Sequence, residues 1–142
     1  MDTSDSSKGT ARYKFRVRFH IEPSQPEVSV APATFETTLY RAADPPGADG
    51  WLFFRDHLWR GNLGDETYFR AVAEDALGVP VASISFSELE TDQAYLDALR
   101  DAMGDQLGTF KSDSVDEAIK KYFGSSIHVV DFDDRGGRYS SQ

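Results

Sequence analysis

The residues best suited to do chemistry lie in one stretch, Trp51-Leu52-Phe53-Phe54-Arg55-Asp56-His57-Leu58-Trp59-Arg60-Gly61-Asn62. It holds both tryptophans of the chain, and sets two arginines, an aspartate and a histidine among aromatic rings. Rings normally go inside a fold and charges outside. Here they alternate too closely to separate, so some polar heads must be part-buried and paired. Arg55 and Arg60 can grip a carboxylate or phosphate through their planar forks. His57, Asn62 and the amides of a helix opening near Asp65 can add further donors, and Trp59 can add apolar contact area. The structural alternative is that Asp56 pairs with Arg55 or Arg60 while the tryptophans fill the core. An Asp56-His57 dyad can orient a general base, but neighbours on an extended strand face opposite ways, so it needs a turn here.

A second constellation is the row Arg12, Lys14, Arg16, Arg18 and His20, on alternate positions of Tyr13-Lys14-Phe15-Arg16-Val17-Arg18-Phe19-His20-Ile21. Such a row can follow a phosphate backbone, with nearby rings for stacking. Its alternative is pairing with Glu36 across strands, or with acidic helices of the second half. The remaining chemistries are poorly served. His20, His57 and His128 have no ligand-spaced neighbours, so no metal site and no cofactor are expected. Asp131, Asp133 and Asp134 can hold a hard cation only loosely. Gly61-Asn62-Leu63-Gly64 lacks the Lys-Ser/Thr of a phosphate loop, and no nucleophile elbow occurs.

The 142 residues contain no cysteine, which excludes disulfides and thiolate chemistry. Of 24 acids 16 are Asp, and of 15 bases 10 are Arg and 5 are Lys. The charge is unevenly placed. Residues 1–60 carry 8 bases and 8 acids, whereas residues 61–142 carry 7 bases and 16 acids, so the net charge of −9 belongs to the second part. That balance is opposite to a nucleic-acid coat. An Asp-rich, Lys-poor surface suits a cytosol of high ionic strength, where repulsion between like charges is screened. With no long apolar run and no apolar leader, a cytoplasmic protein that does not enter membranes is expected.

The elements that must position these residues follow from periodicity. The faultless alternation of 13–21 reads as a half-buried strand, and Phe35–Tyr40 and Trp51–Phe54 as two more. Three helices share an i, i+3, i+4, i+7, i+8 apolar stripe. Their stripes are Phe69, Val72, Ala73, Ala76, Leu77; then Tyr95, Ala98, Leu99, Ala102, Met103; then Val115, Ala118, Ile119, Tyr122, Phe123. Asp65, Thr91 and Ser114 are the expected N-caps, Ser114 with Glu117 forming a capping box, and Gly78, Gly104 and Gly124 the stops. Val81–Phe86, with Ala82, Ile84 and Phe86 on one face, and Ile127–Val130 complete the strands. The resulting order is β-β-β-α-β-α-α-β, an α+β fold with a mostly antiparallel or mixed sheet and three helices on one face. It occupies residues 12–132, between a polar tail (1–11) and a frayed end (133–142).

Phe54-Arg55-Asp56, Leu58-Trp59-Arg60-Gly61 and Gly124-Ser125-Ser126-Ile127, together with the acidic composition, resemble the LWR-salt protein family of halophilic archaea. The resemblance runs from about Tyr13 to Val130. It implies a salt-rich habitat, and no activity, cofactor or catalytic residue.

Taken together these features describe an interaction or regulatory module rather than an enzyme. The expected partner is a protein or an anionic small ligand, bound through Arg55, Asp56, His57, Trp59, Arg60 and Asn62. RNA binding through Lys14, Arg16, Arg18 and His20 is the second reading, and a small enzyme of unassigned reaction the third.

Overall fold

The computed structural model describes residues 9–132 apart from Glu22, Ser24, Pro26 and Pro32. The fold is α+β, and a four-stranded sheet supports it. Strand β1 (Ala11–His20) is central because its odd positions are apolar: Ala11, Tyr13, Phe15 and Val17 are all buried. On one side it pairs antiparallel with β2 (Thr34–Ala42), from Arg12 opposite Ala42 to His20 opposite Thr34. On its other side lies β5 (Val81–Thr91), also antiparallel, and β5 in turn pairs in parallel with the short β6 (Ile127–Val129). The order across the sheet is β2-β1-β5-β6.

The layer over the apolar face is helical. Between β2 and β5 come α1 (Phe53–His57), a two-residue-per-strand hairpin of β3 (Leu58–Trp59) and β4 (Asn62–Leu63), and α2 (Glu66–Leu77). Between β5 and β6 come α3 (Gln93–Gly104), α4 (Leu107–Phe110) and α5 (Val115–Phe123). Phe54, Leu99, Met103, Phe110, Ala118 and Phe123 are at or below 1 % exposure, and rings of α1, α4 and α5 meet in one aromatic cluster.

The caps at Asp65 and Ser114 form as expected. Asp65 accepts from the Tyr68 amide (3.1 Å) and Ser114 from the Glu117 amide (3.1 Å), but the return half of the expected capping box is displaced, Glu117 accepting from Asp113 N (2.8 Å), one residue before the cap. Gly78 closes α2 in the left-handed region.

Other expectations are corrected. Trp51–Phe54 is no strand: Trp51 and Leu52 form a turn and Phe53 opens α1, because the amides of Trp51, Phe53 and Arg55 bond back to Ala48, Gly50 and Leu52. The element order is therefore β-β-α-β-β-α-β-α-α-α-β. Strand β5 runs on to Thr91, so α3 is capped by Asp92, which accepts from Tyr95 N at 2.8 Å. Gly104 is the last helical residue rather than a left-handed stop. Two register shifts put Ala82 and Ser87 outside the pairing with β1. These bulges move Val81, Ile84, Phe86 and Leu89 onto the buried face and leave Ala82 exposed. Val72 and Ala76 also face outward, since Phe69, Ala73 and Leu77 alone cover the sheet from α2. Thr10 and Ala11, expected to lie outside the domain, belong to the fold: Thr10 N bonds Asp92 Oδ2 at 3.0 Å and Ala11 starts β1. Residues 1–8 and 133–142 lie outside the described residues, as do Asp133 and Asp134.

Candidate functional site

Between α1 and α2 the chain makes a hairpin whose turn is Arg60-Gly61. Leu58 opposes Leu63 and Trp59 opposes Asn62, so only two residues remain for the loop. Arg60 has φ 52° and Gly61 φ 84°. Two consecutive positive φ values define the type I′ turn, whose twist matches that of paired strands. Glycine is natural at its second position, but an arginine at the first is unusual, since Cβ crowds the following carbonyl there. Asn62 supports the turn, its Nδ2 donating to Arg60 O at 3.4 Å.

The turn is docked on the end of α5. Arg60 N donates to Lys121 O at 2.7 Å and Gly61 N to Tyr122 O at 2.9 Å. Those are carbonyls that a helix leaves without intrahelical partners at its C-terminus. The approach is close on both sides. A Cβ on Gly61 would stand 3.0 Å from Phe123 O and 3.1 Å from Ser126 Oγ, and one on Gly124 would stand 3.1 Å from Arg60 O. The segments Leu58–Gly61 and Gly124–Ile127 thus meet in space.

A family described as LWR-salt protein matches the chain over residues 9–133. The chain belongs to that family. Neither the curated proteins nor the solved structures contain a match to it. The Leu-Trp-Arg letters of this LWR-salt protein now have separate structural roles. Leu58 is 3 % exposed and fills the core, Trp59 is 52 % exposed, and Arg60 projects from the turn.

Trp59, Arg60, Glu117, Lys120, Lys121 and Gly124 line an open hollow of about 460 Å³. The Arg60 guanidinium carbon is 5.6 Å from the Trp59 ring centre, and Tyr122 meets that ring edge-on at 6.3 Å. Lys121 is engaged in the fold, its Nζ donating to the carbonyls of Phe110 and Lys111. Arg60 and Lys120 have no ion pair among the described residues. Two cations without an ion pair among the described residues thus share the hollow with an exposed indole and the Glu117 carboxylate.

The other residues singled out from the sequence lie elsewhere. Arg55, Asp56 and His57 border a second hollow with Arg41 and Trp51, of about 500 Å³. Arg55 is held by Asp56, Nε at 3.2 Å and Nη2 at 3.1 Å from Oδ1. The two act on Tyr122, whose hydroxyl is raised above its ordinary pKa by burial, against the lowering pull of Arg55 and with a smaller push from Asp56. The His57 ring packs against Phe53 (4.6 Å), Phe69 (5.2 Å) and Tyr68 (6.2 Å), and makes no side-chain hydrogen bond among the described residues. Asp56 and His57 do form a turn of helix, yet no dyad results. At the start of α2 the Tyr68 amide is already taken by the Asp65 carboxylate, at 3.1 Å. The compact Arg55–Arg60 anion clamp is thus split in two by the bend from α1 into the hairpin.

The basic row of β1 lies on the sheet face away from the helices. Arg12 Nε donates to Glu90 (2.9 Å), and Lys14 stands 3.7 Å from Glu90 and 3.8 Å from Glu88. Arg16 reaches Glu36 at 4.0 Å, and His20 shares a hydrogen bond with Thr34. Cross-strand pairing with Glu36 was legible, but the main counter-charges come from β5 rather than from the helices. Arg18 has no ion pair among the described residues. At the β5–β6 junction His128 Nδ1 lies 3.2 Å from Glu88, and Glu88, Glu90 and His128 bring ligand-type atoms within 4.8 Å of one another. Sequence spacing missed this group, since parallel pairing joins residues about forty apart. Lys14 and Arg12 supply the opposing charge there. Lys120 and Glu117 were missed as well. Glu117 stood out only as a capping residue, and Lys120 only as one of two lysines in the last turn of α5.

Proposed function

We propose that this chain is an interaction module that captures an anionic segment of a partner protein on the Trp59–Arg60–Lys120 hollow. The observation that carries the reading is Arg60. It occupies a left-handed position where glycine would be less strained, its backbone is fixed by α5, and its guanidinium makes no ion pair among the described residues, although Glu117 lines the same hollow. Stability is given up to present a side chain that the fold does not use. The exposed Trp59 beside it adds a large, rigid apolar surface, and Trp and Arg are the residue types that dominate binding energy at interfaces. The nucleic-acid reading has less support, because Glu36, Glu88 and Glu90 stand against the basic row. Catalysis has least, since the part-exposed His57 ring packs against Phe53, Tyr68 and Phe69 and has no carboxylate partner among the described residues to orient it.

Tryptophan emission tests the proposal. In a Trp51→Phe background the remaining indole is Trp59. Titration with a glutamate-rich peptide should shift its emission saturably, and Arg60→Gly should weaken the apparent affinity at least tenfold. An unchanged spectrum, or equal affinity for both chains, overturns the reading. Inorganic phosphate serves as the small-anion control.

We also place the protein in a salt-rich cytosol, on the Asp-rich charge of residues 61–142. No helix among the described residues is long and apolar enough to cross a membrane. Raising KCl from dilute to molar should raise the thermal midpoint by relieving repulsion among those acids. A flat or falling midpoint removes the argument.

A further inference from the structure

Strand β2 leaves an unusual edge. Ile21 N donates to Ala33 O and Ala43 N to Ala11 O, which fixes the hydrogen-bonding phase of the β1–β2 pair. Odd positions of β2 bond β1, so Thr34, Glu36, Thr38, Tyr40 and Ala42 turn their amides and carbonyls outward. Among the described residues no strand pairs with that edge. Natural sheets guard such edges with proline, lysine, bulges or shortness. The opposite edge, β6, is guarded by being only 3 residues long. Strand β2 has 9 residues, contains neither proline nor lysine, and pairs with β1 without a register shift. Its two charges are both turned to other uses, Glu36 toward Arg16 and Arg41 over the Phe53 ring at 4.5 Å.

We propose that two copies of the chain pair antiparallel through β2, making one continuous eight-stranded sheet with both helical layers on the same side. Full overlap of the nine residues centres the two-fold axis on Thr38. Thr38 then opposes its own copy, Glu36 opposes Tyr40 and Phe35 opposes Arg41, so no like charges face each other. Half-exposed Phe35 and Leu39 gain neighbours on the helical face, and Tyr40, 47 % exposed, on the other. Charge placement agrees with this surface. Strand β2 lies in residues 1–60, which have equal acids and bases, and the net −9 resides in residues 61–142. Strand β2 itself carries one acid, Glu36, and one base, Arg41, so the paired edges bring no net charge together.

Sedimentation equilibrium in molar KCl should give twice the 15.8 kDa chain mass. Thr38→Pro removes an outward amide and no β1–β2 bond, so it should yield a monomer with unchanged helical circular dichroism. Register is tested by oxidation, which is clean because the natural chain has no cysteine. Thr38→Cys should crosslink, since facing Cα atoms of a hydrogen-bonded pair lie about 5.5 Å apart, within disulfide reach. Tyr40→Cys, opposite Glu36 of the copy, should not. The crosslinks decide the matter should the proline variant fail to fold. A monomer at all concentrations, a dimer that survives Thr38→Pro, or equal crosslinking of the two cysteine variants overturns the proposal.

Discussion

Trp51 and Trp59 stand eight residues apart in the same aromatic and charged stretch, and the fold treats them oppositely. Trp51 is 7 % exposed, edge-on to Phe54 and Phe110, and the arginine that follows it, Arg55, is tied to Asp56. Trp59 is 52 % exposed and its neighbour Arg60 is tied to nothing acidic among the described residues. Composition does not separate the two halves; backbone geometry does. The first half bends into a short helix that lays its rings on the core. The second forms a hairpin so tight that its turn residues have no core to face, and it is secured through its amides instead. A side chain whose backbone does the anchoring is free for another purpose.

The comparison breaks most readily on its buried side. Phe54 is 1 % exposed and meets Trp51, Phe110, Tyr122 and Phe123. Phe54→Ala should cost about 3–5 kcal/mol in a denaturant titration, the range for emptying an aromatic core site. A cost below about 1 kcal/mol would mean that this half is not core at all.

The buried side also carries titratable groups. Burial, with the Asp44 charge nearby, holds the Tyr95 hydroxyl above its usual 10 while it donates to Asp44 O at 2.7 Å. Burial likewise raises Tyr13, which packs on Phe53 at 4.6 Å. A raised hydroxyl keeps its proton in the folded chain after the unfolded chain has lost it. Stability should therefore be intact below pH 10 and fall as pH climbs past it, by up to about 1.4 kcal/mol per pH unit for each tyrosine. Alkaline melts of the natural chain and Tyr95→Phe check this; equal slopes would show that Tyr95 is not the group responsible.

On the exposed side the backbone is the sensitive part. Gly61→Ala forces a Cβ into a left-handed position and toward Phe123 O, and should cost about 1–2 kcal/mol. Chemical denaturation of the variant measures it. No loss would mean that the hairpin is not seated on α5.

How much of this was legible follows from range. The sequence pattern of β1 and the stripes of α3 and α5 survive intact, because each element satisfies its own periodicity, although the ends of α3 fall at Asp92 and past Gly104 rather than at Thr91 and Gly104. The same reasoning failed at Trp51–Phe54, where four apolar residues fit a strand or a helical turn equally and the deciding bonds come from Ala48, Gly50 and Leu52. It failed in β5 because two bulges reset the alternation. For the site, Trp59 and Arg60 stood out by type, but Lys120 is brought to them by a docking across about sixty residues. The belonging together of Leu58–Gly61 and Gly124–Ile127 is equally long-range. Local pattern contains no record of it.

The smallest stability effect is the most informative. Arg60→Gly removes the guanidinium and also relieves the strain of a non-glycine residue at φ 52°. If Arg60 were structural glue, losing it would weaken the fold. With no ion pair to lose, the chain should instead hold steady or gain up to about 1 kcal/mol, since glycine adopts this conformation freely. Paired with the loss of peptide binding, that gain would set function against stability at a single position. The control is Arg60→Lys, which keeps charge and strain but loses the fork. It should stay within about 0.5 kcal/mol of the natural chain in the same titration. A clear destabilisation by Arg60→Gly would place Arg60 with Arg55 on the structural side, and the difference between the two halves would shrink to the exposure of one indole.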